Sequence, residues 1–218
     1  MIAALLAVVA IAAGFFFGSI PFGYLVGRFL FGIDIRTHGS GNIGAANALR
    51  TLGKTGAGLV LLCDLLKGLL PVLVVRLLHA HPGVTAAVAA AAVSGHCFSP
   101  WLLGRGGKGV ATSLGAIIAL SWAAAAICAA GWFAGAVLTA FSSVGSIFAN
   151  VLAPFALWFL THEPAYAAYG VFAAALVLYT HRENIARIRA GTENKLGFLR
   201  PWQRTRATKS AMRIERGL

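Results

Sequence analysis

From Gly109 to His162 the chain carries no Asp, Glu, Lys or Arg. Drawn out as one α-helix at about 1.5 Å per residue, this stretch would reach roughly 80 Å, against a bilayer hydrocarbon core of about 30 Å. A run of that kind belongs inside a membrane and has to cross it more than once. The rest of the chain agrees. Hydrophobic residues make up 59% of it and charged ones 11%, with a mean hydropathy of +0.81; soluble domains carry about 25% charged residues. Solid runs such as IAALLAVVAIAAGFFFG (Ile2–Gly18) predict helices, because membrane strands alternate apolar and polar residues. A chain of 218 residues predicts one helical bundle rather than several domains.

Charge sets the topology. Met1 to Gly27 is uncharged and reads as span one, retained as an anchor because no basic region precedes it. Arg28, Arg36, Arg50 and Lys54 then mark a cytoplasmic side under the positive-inside rule. Thr55–Leu78 is span two, interrupted by Asp64, Lys67 and Arg76. HAHPG (His79–Gly83), without Lys or Arg, suits an external turn, and Val84–Pro100 returns as span three to Arg105 and Lys108. The long uncharged stretch then needs an odd number of crossings. Three fit, with breaks near Ala130–Gly131 and at SSVGS (Ser142–Ser146), and one of the three has to be short or re-entrant. Ala165–Thr180 completes the count. The expected fold is an all-α integral membrane protein, a polytopic bundle of about seven transmembrane helices with the N-terminus outside and the C-terminus cytoplasmic.

Most of the net charge of +12 lies beyond Thr180, from Arg182 to Arg216. That excess suits a topology signal and attraction to anionic membrane lipids; nothing else supports a nucleic-acid partner. The expected division is a single transmembrane domain over 1–197 and a basic cytoplasmic tail over 198–218. Cys63, Cys97 and Cys128 lie in apolar runs with no C-x-x-C spacing and read as small buried hydrophobes.

This topology brings three polar stretches to the cytoplasmic face. HGSGNIGAANALRTLGKTGAG (His38–Gly58) holds no carboxylate. Asn42 suits the N-cap of a short helix from Ile43 to about Leu52, closed by Gly53. Asn47 and Arg50, three apart, share a face of that helix, and a guanidinium can grip a phosphate bidentately. In GRGGKG (Gly104–Gly109), dense glycine lets the backbone approach a ligand, and the helix start just beyond offers free N–H groups to an anion. Lys108 adds a charge and Thr112 a hydroxyl. The same stretch also suits a plain flexible turn. In HRENI (His181–Ile185), His181 and Asn184 are three apart, and a histidine titrates near neutral pH. Asp64 and Lys67, at i and i+3, suit an ion pair that lowers the cost of two charges in a membrane. His96 reads as a packing or supporting residue.

In order and spacing, GSGNIGAANALR, GRGGKG and HRENI resemble the three signature motifs of the bacterial acyl-phosphate:glycerol-3-phosphate acyltransferase family. GSIPFGYLVGR (Gly18–Arg28), DLLKG (Asp64–Gly68), GHCFSPW (Gly95–Trp101) and GTENK (Gly191–Lys195) resemble it too. The resemblance covers nearly the whole chain and does not reach past Gly197. It implies an inner-membrane enzyme of phospholipid synthesis, active on the cytoplasmic face. The enzyme would move a fatty acyl group from acyl-phosphate to the 1-hydroxyl of sn-glycerol 3-phosphate, releasing lysophosphatidic acid and inorganic phosphate. It further implies no cofactor and no metal, and as partners the two substrates, membrane lipids and the soluble enzyme that makes acyl-phosphate.

On this reading His181, Asn184 and Ser40 are the catalytic candidates. Arg50, Lys108, Gly106, Gly107, Gly109, Asn47, Asn42 and Thr112 hold phosphate or order the loops around it. Asp64, Lys67, His96, Glu193 and Lys195 support them. Either His181 or a substrate phosphate takes the hydroxyl proton. The main rival is an organic-phosphate transporter, which would place its polar site near mid-membrane between broken helices. A phosphotransferase built on a cluster of Asp is excluded, because the chain has only Asp34 and Asp64.

Overall fold

The computed structural model describes residues 1–196; the expected basic tail lies outside the described residues. Among these, ten α-helices follow one another: α1 (Ile2–Gly18), α2 (Phe22–Leu30), α3 (Ala45–Thr51), α4 (Gly53–Leu77), α5 (Pro82–Cys97), α6 (Val110–Leu120), α7 (Trp122–Thr139), α8 (Ser142–Thr161), α9 (Pro164–Thr180) and α10 (Arg182–Arg189). Four segments are long and apolar enough to cross a membrane: Ile2–Leu30, α4, α7 and α8. α6 and α9 are apolar and shorter.

The first run is not one helix. Pro21 brings no N–H and a fixed φ, and α1 stops before it. Carbonyls freed by such a break must find partners within the protein. Lys67 Nζ donates to Ile20 O at 2.8 Å, and the Ser99 hydroxyl donates to Ser19 O at 2.7 Å. Trp101 Nε1 donates to the Ser19 hydroxyl at 2.8 Å.

The uncharged middle breaks where its caps dictate, and the expected breaks are corrected accordingly. Gly131 lies in the interior of α7, where the missing side chain makes room for Leu152 of α8; a Cβ there would stand 2.5 Å from its Cδ1. The break falls instead at Ser121, whose hydroxyl caps the start of α7 by accepting from Ala124 N. Arg76 donates to Ala119 O at the end of α6. The second turn is Ala140–Phe141, and Ser142–Ser146 form the opening of α8. α6 has 11 residues, so it reaches about 16 Å, half of a hydrocarbon core. It is the short member of the three.

Two apolar clusters hold the bundle. The larger joins α4 through α9 around Val72, Val88, Val93, Ile117, Leu120, Leu157 and Ala173. The smaller packs the polar loop onto α2 and α4 through Val26, Ile35, Ile43, Ala48, Leu52 and Val60. Small residues let backbones touch, as membrane helices require. A Cβ on Gly95 of α5 would lie 2.1 Å from Phe15 O of α1. We expect Gly95→Val to part α1 from α5 and to cost about 3 kcal/mol or more, read as a lowered melting temperature of the purified protein in detergent.

Candidate active site

The first polar stretch folds around one amide. Asn47 is buried; its Oδ1 accepts from Ser40 N at 2.9 Å, and its Nδ2 faces three carbonyls: Ile35 at 3.1 Å, His38 at 3.0 Å and Asn42 at 2.9 Å. An amide has two donors and two acceptor lone pairs, so this side chain is used up within the loop. Asn47 therefore orders the loop around Ser40, and its two donor hydrogens are taken up by loop carbonyls. Asn42 likewise turns inward: its Oδ1 accepts from Gly44 N at 2.9 Å, and Gly44, not Asn42, caps α3. What the loop presents outward is Ser40 and Arg50, with Arg50 Nη2 donating to Ser40 Oγ at 3.2 Å. The nearby Asp34 is taken by Arg36 at 2.7 Å, which holds its carboxyl down at about 2.

GRGGKG returns onto the end of α5. Gly106 N donates to Cys97 O at 3.1 Å and Gly107 N to His96 O at 3.0 Å. A Cβ at Gly106 would stand 2.0 Å from His96 O. These two glycines are needed for close packing, and their N–H groups are not free for a ligand. Thr112 is fully buried in α6, so its hydroxyl is not offered at the face either. Gly109, at φ +85°, turns the chain into α6, whose first N–H groups have no helical partner. Lys108 stands beside that helix start. Thr180 Oγ1 donates to Lys108 O at 3.0 Å and ties the loop to α9. Thr180 escaped the sequence reading because a lone threonine at a helix end carries no signal.

The third stretch closes over the second. His181 is the joint between α9 and α10. Its Nδ1 lies 2.8 Å from Val177 O. A carbonyl can only accept, so Nδ1 carries the proton and Nε2 keeps a free lone pair. Burial, then the Lys108 charge, pushes the imidazole down to about 4, and it is neutral at pH 7. Lys108 donates to Asn184 Oδ1. Asn184 Nδ2 donates to Glu193 Oε1 at 2.6 Å, Ser143 donates to the same oxygen at 2.9 Å, and Arg187 Nε donates to Oε2 at 2.8 Å. These donors hold the Glu193 carboxyl below the usual range against the effect of burial. Lys195, expected among the supporting residues, is exposed.

The three stretches thus meet. Arg50 is close enough to Glu193 and Arg187 for their charges to act on it, and Lys108 feels Arg50, Arg187 and Glu193. Burial, then Arg187, pulls the Lys108 ammonium down to about 8. The result is a cationic cluster with two carboxylates, Glu193 already hydrogen-bonded and the exposed Glu183 near Arg187, and one neutral imidazole. Ser143 and Arg187 were not singled out from sequence. Arg187 had a legible signal, three residues after Asn184 on the same helix face; Ser143 had none. We expect Asn47→Asp, which turns the donor side of the amide into a charge facing three carbonyls, to loosen this loop. It should cost about 3 kcal/mol or more and bring rapid protease cleavage between residues 34 and 52, followed by mass spectrometry.

The sequence profile of the family described as glycerol-3-phosphate acyltransferase matches residues 8–191. A glycerol-3-phosphate acyltransferase of Rubrobacter xylanophilus is 45% identical over 193 residues, covering 88% of this chain and 96% of the relative. One from Trichlorobacter lovleyi is 46% identical over 186 residues, covering 85% and 95%. The crystal structure of PlsY (YgiH), an integral membrane glycerol 3-phosphate acyltransferase in its glycerol 3-phosphate form, superposes with a TM-score of 0.84 at 34% identity, covering 88% of this chain and 96% of that one. Its lysophosphatidic acid form gives 0.82. With its all-helical membrane bundle and its three converging polar stretches, the chain belongs to the glycerol-3-phosphate acyltransferase family.

Proposed function

We propose that this acyltransferase takes its acyl group from an acyl-phosphate and places it on the 1-hydroxyl of sn-glycerol 3-phosphate, giving lysophosphatidic acid and inorganic phosphate. The observation that carries this reading is the meeting of Ser40–Arg50, Lys108 and His181–Asn184 in one cationic recess at a bundle end. Both reactants are anions, and one has a fatty tail that needs an apolar bed beside the recess. Seven crossings, with Met1 outside and the recess at the cytoplasmic face of the bacterial inner membrane, fit the charge pattern. The soluble enzyme that makes acyl-phosphate is then its upstream partner.

In this reaction the hydroxyl oxygen attacks the acyl carbon, the bond from that carbon to the phosphate oxygen breaks, and phosphate leaves. An acyl-phosphate is a mixed anhydride, so its leaving group needs little acid help. The protein has to hold two anions together and stabilise the developing charge. Lys108 and the start of α6 take a phosphate, and Arg50, steadied by Ser40, takes phosphate from the other side. The free Nε2 of His181 accepts the hydroxyl hydrogen bond and orients the nucleophile. The proton leaves with the released phosphate or passes through Nε2. Direct attack is favoured over an acyl-Ser40 intermediate, since Ser40 is paired with Arg50 and has no base beside it among the described residues. A mid-membrane transport site has less support, because these residues sit at helix ends.

Purified protein given acyl-phosphate and glycerol 3-phosphate should release phosphate and lysophosphatidic acid in equal amounts, and acyl-CoA or acyl-carrier protein should not replace the donor. Lys108→Ala and Arg50→Ala should each raise KM for a phosphate substrate roughly 10- to 100-fold, the loss of one charged hydrogen bond; unchanged KM in both would defeat the assignment. The charged form of Lys108 binds, and it loses its proton as pH rises through about 8. So kcat/KM should be level below that value and fall about tenfold per pH unit above it. Lys108→Arg should abolish this limb, because an arginine stays charged.

A further inference from the structure

Three titratable side chains lie inside the bundle, on helices α4 and α5: Asp64, Lys67 and His96, each no more than 3% exposed. The Lys67 ammonium lies 2.9 Å from Asp64 Oδ1, donates to Ile20 O at 2.8 Å and stands over the Phe22 ring at 5.7 Å. Asp64 Oδ1 is also 3.6 Å from His96 Nδ1, beyond hydrogen-bond length. His96 Nδ1 is buried without a hydrogen-bond partner. The other edge of the same ring rests against the GRGGKG loop. A Cβ on Gly107 would stand 2.0 Å from His96 Nε2, and Gly107 N donates to His96 O at 3.0 Å. Gly107 is the residue before Lys108.

Stability alone does not account for this arrangement. A buried ion pair is often no better for stability than apolar residues of the same shape, and charges inside a membrane are expensive. What the charges supply is direction. The negative carboxylate 3.6 Å from Nδ1 biases that edge of the imidazole inward by its charge, and the opposite edge is the seat of Gly107. We propose that Asp64, Lys67 and His96 form a positioning network that sets the Gly104–Gly109 loop, and with it Lys108, from inside the bundle. The role rests on the reading of Lys108 as the phosphate-holding cation. None of the three residues reaches the open face, so they act through the loop.

The test uses the full chain in lipid nanodiscs, with His96→Ala, His96→Gln and the double variant Asp64→Asn/Lys67→Met, which removes both charges together. Two quantities are read: the rate at which a water-soluble amine reagent modifies Lys108, followed by peptide mass spectrometry, and KM for glycerol 3-phosphate against kcat. A displaced loop should label about fivefold faster and raise KM about tenfold with kcat within about threefold, since misplacement by about 1 Å can cost up to 100-fold. His96→Gln keeps a polar group near the Nε2 position and should recover most of both. The double variant also leaves Ile20 O without its Lys67 donor, so it should melt below the parent and, while folded, still label fast. Where His96→Ala does not fold, the Asp64→Asn/Lys67→Met variant decides. A folded His96→Ala or double variant whose Lys108 labelling and KM both stay within about twofold of the parent overturns the network. A parent protein that transfers no acyl group defeats the reading of the reaction, and labelling alone then decides the network.

Discussion

A carbonyl released by a break in a helix finds no water inside a hydrocarbon layer, and this constraint shapes the whole bundle. The chain breaks its apolar runs at Ser19–Pro21 and at Ser121, and each break has a side chain brought to it. Lys67 and Ser99 serve the first, and Arg76 serves the end of α6 near the second. Charged and hydroxyl side chains in the spans are therefore part of the backbone's hydrogen bonding. The first break lets α2 start where the polar loop needs it, and the second keeps α6 short. α2 carries the Asn47-centred loop on its small apolar cluster, and α6 points its N-terminus at the turn that holds Lys108.

The recess follows a second rule, the management of negative charge. Two anionic reactants would be repelled by a bare carboxylate. Asp34 is neutralised by Arg36 outside the recess, and Glu193 is surrounded by Ser143, Asn184 and Arg187. Glu193 thereby fixes Asn184, whose other end meets Lys108. The ammonium of Lys108 is half-buried and near other cations, which makes it easier to discharge than an ordinary lysine. An arriving phosphate would restore its hold on the proton.

Much of this was legible in the sequence, and the reasons are physical. Hydropathy marked the apolar helices, and the polar stretches between them are the ones that meet, because a membrane punishes a misplaced charge. The positions of the middle breaks were not legible. Gly131 resembles a break on paper, yet a glycine inside a membrane helix serves as easily to admit Leu152 of a neighbour. Residue type also failed to separate ligand from scaffold. Asn42, Asn47, Gly106 and Gly107 all suit phosphate binding by chemistry, but the structure uses their polar groups or their smallness to build the loops. Their partners are near in sequence but are set by how each loop folds back, and other partners lie far along the chain, as between Thr180 and Lys108 or Ser143 and Glu193.

The imidazole of His181 takes its direction from Val177 O, four residues back at the end of a helix. Many enzymes give that task to an aspartate. Here an uncharged oxygen performs it, and the orientation adds no formal negative charge. On the proposed reaction, the centre can therefore stay cationic as both reactants load. A carboxylate installed behind that ring would aim it equally well and would push away the two anions of the proposed reaction.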